Sequence, residues 1–350
     1  MSLAIPLSVF HLSSSDTDHL LLECREQTLA CVTFANGSYY PTKEFSGPVV
    51  QVNTPMIGLT EDQFELWCAG QAVSSGSFDG VRYSFNDDLL FGYTVLSESD
   101  FSAATSVNAG HATPLQRATK RAFTSIFGLL DELDYPHILR IWNYFPAINS
   151  ESYELERYRQ FNIGRQQAFA ACGRSLTEDI PAACALGTMG GELVIYFIAG
   201  HEKPVAIENP RQVSAYHYPP EYGPSEPTFS RASLGRIGEQ EVLFVSGTAS
   251  IIGHKSMHVG DVVAQTKETL VNIECVVNEA NRVSSKRDYD LESLSYKVYL
   301  RRQDDFKAVQ EVLLQVIGSN IQATYLEADI CRQDLLVEIE AIAGIPLASL

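Results

Sequence analysis

Residues 335–344 read LLVEIEAIAG. Val337, Ile339, Ala341 and Ala343 alternate with Leu336, Glu338, Glu340 and Ile342. Successive side chains of a strand point to opposite faces, so this period of two predicts a β-strand with one wholly apolar face. The opposite face carries two glutamates among aliphatics. Two readings of that face stand open. It is a solvated strand surface, or it holds an acid buried beside a ligand, with Glu338 the candidate. The second reading needs something for the face to pack against.

A chain of 350 residues exceeds one small core, so two domains or one duplicated unit are expected. Its 43 acidic residues outnumber 25 basic ones, a formal charge of −18. Such a surface repels nucleic acid and anionic membranes, and neither is expected as a partner. An anionic ligand would have to be gripped by a local cluster of arginines. Seven cysteines stand at 24, 31, 68, 172, 184, 275 and 331. The odd count, without a CxxC pair or a histidine at zinc spacing, argues against a disulfide framework and a structural metal. No basic residue precedes Arg25, and the longest apolar run, Leu193 to Gly200, is too short to span a bilayer. A soluble cytoplasmic protein without a secretory signal is expected.

Short runs at 5–12 (IPLSVFHL), 20–25 (LLLECR), 29–35 (LACVTFA) and 47–59 (GPVVQVNTPMIGL) predict a mostly β region over 1–80. A strand at 89–96 follows. Thr113-Pro114 then opens a helix with the stripe Leu115, Ala118, Ala122, Ile126, Leu129, Leu133. Next come a strand at 138–145, a helix at 153–172 interrupted by Gly164, and strands at 182–186 and 193–199. Residues 201–228 are dense in proline and tyrosine, which predicts an extended linker with neither sheet nor helix. The order then repeats: strand 242–247, helix 261–280, strand 294–300, helix 304–317, and a closing hairpin of 323–330 with 335–344. This is an internal duplication at a period of roughly 150 residues, each copy an α+β layer with helices on one sheet face.

TFSRASL (228–234), LFVSGTASI (243–251), VAQTKETLVNI (263–273), YLRRQDDF (299–306) and VEIEAIAG (337–344) resemble the RidA/YjgF family of imine deaminases. The resemblance implies an α+β fold of two RidA/YjgF-like (chorismate mutase-like layer) pseudo-repeats on mixed sheets. The divisions are a β region at 1–80, a degenerate copy at 81–200, the linker at 201–228 and the second copy at 229–350. The deaminase chemistry does not carry over. The family's carboxylate-binding arginine belongs to the penultimate strand, where IQATYLEADIC has no basic residue, and the family's tyrosine and glutamine become Phe229 and Arg231.

A narrower likeness covers the chain from about Leu89 onward. RIWNYFPAIN (140–149), ERYRQFNIGRQQAF (156–169), ENPRQVSAYHYPPEYGPSEPTFSRA (208–232), SGTASIIGH (246–254) and VEIEAIAG resemble the chorismatase family. That family cleaves chorismate and releases pyruvate. Some members form 3,4-dihydroxycyclohexa-1,5-dienoate, others 3-hydroxybenzoate or a mixture with 4-hydroxybenzoate. The resemblance implies a cofactor-independent enzyme whose acid is Glu338. Cleaving the enol ether requires protonating its methylene carbon, and a glutamic acid kept neutral by burial suits that step. A cysteine at position 331 resembles the hydroxybenzoate-forming branch. If 332–335 form the hairpin turn, Cys331 lies diagonal to Glu338, roughly 7–8 Å away. Its role is then to steer the product rather than to act as a nucleophile. A small buried thiol ending a strand is the plain alternative.

For two substrate carboxylates the candidates are Arg165 and Arg231, followed by Arg157 and Arg301, since a guanidinium fork matches a carboxylate. Surface ion pairs account for each equally well in so acidic a chain. Tyr216 and Tyr218 are candidate phenolic donors, or linker packing. Gly247 and Ala249 would let a ring approach the backbone, or serve tight sheet packing. The glycines of 187–191 (GTMGG) make no phosphate loop, and His254 and His258 lack a third metal ligand. A non-catalytic RidA-like binding protein is the reading of a different class. RidA proteins are trimers with sites between subunits. A duplicated chain would form such an interface internally, as a monomeric pseudo-dimer, or associate further as a homo-oligomer.

Overall fold

The computed structural model describes residues 6–348, less 14–15, 17–19, 21–22, 35–44, 46, 59–62, 105–111, 179 and 287. An N-terminal layer holds β1 (Leu7–Ser13), β2 (Thr28–Thr33), β3 (Val49–Gln51) and β4 (Gln63–Ala69). The strand expected at 20–25 does not form: Leu20, Glu23 and Cys24 are helical, and Leu21 and Leu22 lie outside the described residues. Three consecutive leucines have no alternation to favour a strand. Ile5, Ala35 and Leu59 of the other runs also lie outside the described residues.

The first copy comprises β5 (Ser74–Phe78), β6 (Val81–Phe85), β7 (Leu89–Leu96), α1 (Pro114–Leu133), β8 (His137–Pro146), α2 (Arg157–Ala171), β9 (Ala182–Thr188) and β10 (Leu193–Gly200). The division expected at residue 80 runs through the β5–β6 hairpin. Thr113 caps α1 in a capping box with Gln116, as the Thr-Pro pair predicts. The helix expected at 153–172 starts later. Tyr153 and Glu154 take positive φ in the turn of a small hairpin, Glu151–Ser152 with Leu155–Glu156. Nor does Gly164 interrupt α2. A Cβ there would lie 2.3 Å from the Gln116 carbonyl oxygen, so this glycine lets α1 and α2 cross in contact.

The second copy comprises β11 (Val205–Ile207), β12 (Ala232–Ile237), β13 (Gln240–Thr248), α3 (Val262–Val283), β14 (Ser295–Leu300), α4 (Phe306–Val316), β15 (Gln322–Glu327), β16 (Asp329–Ile330) and β17 (Val337–Ala343), with β18 (Leu347–Ala348) after it. The linker therefore contains a strand after all. Pro204 and Pro210 flank β11, which pairs with β12 at the sheet edge, where proline is tolerated. The expected closing hairpin is also absent. β15 pairs parallel with β14, and β17 lies antiparallel between β13 and β14. A central place pairs both edges of β17, which a terminal hairpin would leave half open. The residues between them cross to the first copy, where β16 pairs with Leu186 and Gly187 of β9.

Besides two small hairpins, three large sheets form among the described residues: β18-β1-β4-β2-β3, β16-β9-β8-β10-β7-β6-β5 and β11-β12-β13-β17-β14-β15. α1 and α2 back the second, α3 and α4 the third. Val337, Ile339, Ala341 and Ala343 pack towards α3 and α4 with Leu270, Ile273 and Leu313. The opposite faces of the two sheets meet in one core, with Trp142, Tyr144 and Tyr196 from the first copy and Phe244 and Tyr299 from the second. The glutamate face of β17 therefore looks at the other copy. No helix among the described residues is long and apolar enough to cross a membrane.

Candidate active site

Glu338 and Glu340 are both 3% exposed, yet their surroundings separate them. Glu340 accepts a hydrogen bond from Trp142 Nε1 at 2.9 Å, pairs with Arg140, and lies 3.3 Å from Lys297 Nζ. Burial pushes its carboxyl up, but Arg140 and Lys297 outweigh it and the net shift is downward. Glu340 is a buried anion. Glu338 lies on the wall of a cavity of about 230 Å³. Burial pushes its carboxyl up to about 8, the charge of Glu340 adds to the effect, and Arg140 and Arg301 oppose it. Glu338 is thus a neutral acid at pH 7, a donor rather than an acceptor.

Gly247 makes room for it. A Cβ at Gly247 would lie 1.9 Å from Glu338 Oε1. The β13–β17 register also shifts between Val245 and Thr248, so the strand bulges opposite the acid. The close approach that the sequence assigns to a ligand ring is made first by the glutamate.

The raised acid has a consequence for stability. The folded chain binds a proton that the unfolded chain, with a carboxyl near 4.5, releases first. The stabilisation associated with Glu338 is complete below pH 4.5 and is lost as the pH rises to about 8, an effect of up to about 5 kcal/mol. Glu338→Gln removes this dependence. Denaturant unfolding from pH 4 to 9 should show the variant gaining on the wild type across that interval. Parallel curves would contradict the assignment.

Cys331 shares the cavity wall with Glu338. It arrives at the end of the β16 crossing, not across a hairpin. Burial pushes its thiol up to about 12, with Glu338 adding, so it remains a thiol. Ala249 and Tyr218 also line the wall. Arg231 donates from Nη2 to Val213 O and to Tyr218 Oη, both at 2.9 Å, and lies over the Phe229 ring at 5.1 Å. Arg332, which the sequence reading assigns to a turn, lies 4.3 Å from the Tyr222 ring centroid and donates to His254 O at 2.8 Å. Each keeps a buried nitrogen without a protein partner, Nε of Arg231 and Nη2 of Arg332.

Four expected ligands are placed elsewhere. Arg165 is buried behind the wall, donating to Asn162 Oδ1 at 2.9 Å, and burial lowers it to about 10. Its charge acts on the wall residue Tyr158, which bonds Asn162. Arg157 is bound to Glu98 and to Pro146 O at 3.1 Å. Arg301 spends its donors on Leu335 O, Asn149, Asp329, Ile330 O and Arg332 O, and so clamps the crossing that carries Cys331 and Arg332. Tyr216 packs against His217 and is not on the wall.

Sequence reasoning missed Tyr158, Arg159, Tyr222 and Arg332. The first three lie inside motifs already singled out, ERYRQF and PPEYGP. Arg332 had no signal, because only the crossing brings it round. His254 bonds Tyr222 and His258 lies 3.8 Å from Glu268; no group of three potential metal ligands occurs among the described residues.

The profile "Chorismatase FkbO/Hyg5-like, N-terminal" matches residues 65–199, and "Endoribonuclease L-PSP" matches 227–345. A 3-hydroxybenzoate synthase of Streptomyces hygroscopicus is 37% identical over 330 residues, 90% of this chain and 91% of that protein. A chorismatase of Streptomyces rapamycinicus is 38% identical over 287 residues, 80% and 82% of the two chains. A chorismatase crystal structure superposes with a TM-score of 0.84 at 32% identity, covering 98% of this chain and 100% of that one.

Proposed function

The chain belongs to the chorismatase family, and we propose that it cleaves chorismate to pyruvate and a hydroxybenzoate, with Glu338 as proton donor. The observation that carries this is a neutral buried carboxyl on the wall of a cavity shared with three arginines, Arg159, Arg231 and Arg332. Glu338 gives its proton to the enolpyruvyl methylene carbon, whose double-bond electrons form the new C–H bond. The cation that results is conjugated with the ether oxygen. The oxygen of the neighbouring ring hydroxyl then attacks the ring carbon that bears the ether, the bond from that carbon to the ether oxygen breaks with its electrons closing the pyruvate carbonyl, and pyruvate leaves. The attacking oxygen's original bond to its own ring carbon then opens, which leaves the hydroxyl on the carbon that carried the ether. Loss of a ring proton aromatises the product and restores the acid. The sequence consumes no net water, which suits a cavity walled by Tyr158, Tyr218, Tyr222 and Phe229.

Arg231 and Arg332 hold the two carboxylates, and Tyr158 and Tyr218 supply phenolic hydrogen bonds. Arg165 supports Tyr158 through Asn162. Arg301 positions the crossing. The wall draws Tyr158 from the first copy and Glu338 from the second, so one chain forms the catalytic unit. Cys24, Cys68, Cys172, Cys184, Cys275 and Cys331 are free thiols, which fits a cytoplasmic site of action.

Incubation with chorismate should release pyruvate and an aromatic acid, resolved by chromatography. A protein that binds chorismate without releasing pyruvate would instead be a binding module. In water enriched in heavy oxygen, 3-hydroxybenzoate should carry no label in its ring hydroxyl; incorporation would show attack by water. Cys331 steers the cation towards the internal route. Cys331→Ala should shift the products towards the dihydroxycyclohexadiene acid, and an unchanged mixture would remove the thiol from the mechanism.

A further inference from the structure

Four buried charges are left unused by this chemistry, and they form one row. Arg140 pairs with Glu340, Glu340 lies 3.3 Å from Lys297, and Lys297 lies 2.7 Å from Glu65. Their side chains are 1–7% exposed. The row crosses all three sheets, from Arg140 on β8 through Glu340 on β17 and Lys297 on β14 to Glu65 on β4. Apolar side chains would join these layers at least as well, because buried ion pairs rarely repay their desolvation. What distinguishes the row is its place. Glu340 follows Glu338 by two residues on one strand face, a separation of roughly 7 Å.

We propose that this row tunes the protonation of Glu338 beyond what burial imposes, and that Glu65 brings the N-terminal sheet into the reaction as a positioning residue acting through Lys297 and Glu340. The inference rests on Glu338 being the proton donor. Lys297 is divided between two carboxylates. While Glu65 takes part of its charge, Glu340 presents an excess of negative potential to Glu338 and disfavours a second anion. With Glu65 neutral, Lys297 serves Glu340 alone, the potential at Glu338 becomes more positive, and Glu338 ionises at lower pH.

The other groups around Glu338 do not take over this role. Arg140 and Arg301 are fixed positive charges, as are Arg159, Arg231 and Arg332 on the cavity wall, and Glu156 on that wall is raised by burial and paired with Arg159 at 3.3 Å. Cys331, Cys184 and Tyr158 all shift upward through burial and stay neutral. At the far end of the row, burial lowers His11, with Glu65 opposing. Tyr196, Tyr144 and Tyr299 shift upward through burial.

The test is the pH profile of kcat/KM for pyruvate release by the full chain. Glu65→Gln should confine its effect to the alkaline limb and move that limb down by about half a pH unit or more. Glu65→Gln with Lys297→Met restores the wild-type net charge and should move the limb back. Glu65→Asp, which lengthens the contact with Lys297, should shift it in the same direction by less and serves if the glutamine variant does not fold. An unmoved limb in the folded Glu65 variants overturns the proposal. So does a loss of rate equal at every pH, which marks a purely structural role. A wild-type chain that releases no pyruvate overturns it along with the reading beneath it.

Discussion

Glu338→Gln is expected to lower kcat/KM for pyruvate release by about 10²–10⁴-fold, the usual contribution of a positioned general acid. Most of the loss should fall on kcat. Glutamine matches glutamate in shape, so it fits the space left by Gly247 and leaves the arginines in place. Substrate binding therefore survives while the transferable proton is lost. The effect belongs near the upper end of that range because the site has to protonate carbon, and the other acids on the wall are poorly suited: Glu156 is paired with Arg159 at 3.3 Å, Cys331 shifts up to about 12 and Tyr158 higher. Steady-state kinetics at pH 7 would check this. A variant within tenfold of wild type would remove Glu338 from the proton transfer.

Glu340→Ala is expected to do the reverse and act on stability. Arg140 would lose its carboxylate partner and Trp142 Nε1 its acceptor, both inside the core. Removing one member of a buried ion pair typically costs about 3–5 kcal/mol. A urea midpoint at pH 7 would register the loss, or the chain would not accumulate folded. Arg140→Met combined with Glu340→Leu should recover much of it, since neither charge is then stranded. If Glu340→Ala unfolded at the wild-type midpoint, the row would not be the buried network described here.

The alternation of Val337, Ile339, Ala341 and Ala343 made the last strand and its apolar face legible. The duplication made its second layer legible. Which glutamate is charged was not legible, because that depends on Arg140, Trp142 and Lys297, brought in from distant strands. The resemblance singled out Glu338, and the geometry supplies a physical reason for choosing it. Cys331 was placed beside Glu338 by the wrong route. Local pattern suggested a hairpin, whereas β16 crosses to β9, a long-range pairing with two residues of register and no periodic signal. The same crossing hid Arg332. Arginine placement was least legible of all. Arg157, Arg165 and Arg301 sit in or beside the singled-out motifs, but sequence does not say whether a guanidinium ends on a ligand, a carboxylate or a row of carbonyls.

The pH dependence of kcat/KM for pyruvate release tests the central assignment most directly, because it reports the ionisation of the free enzyme. With Glu338 as a protonated donor, the rate should hold on the acid side and fall by tenfold per pH unit above about 8. A rate that stays level through about pH 9.5, or that rises with pH through the carboxylate range, would contradict it.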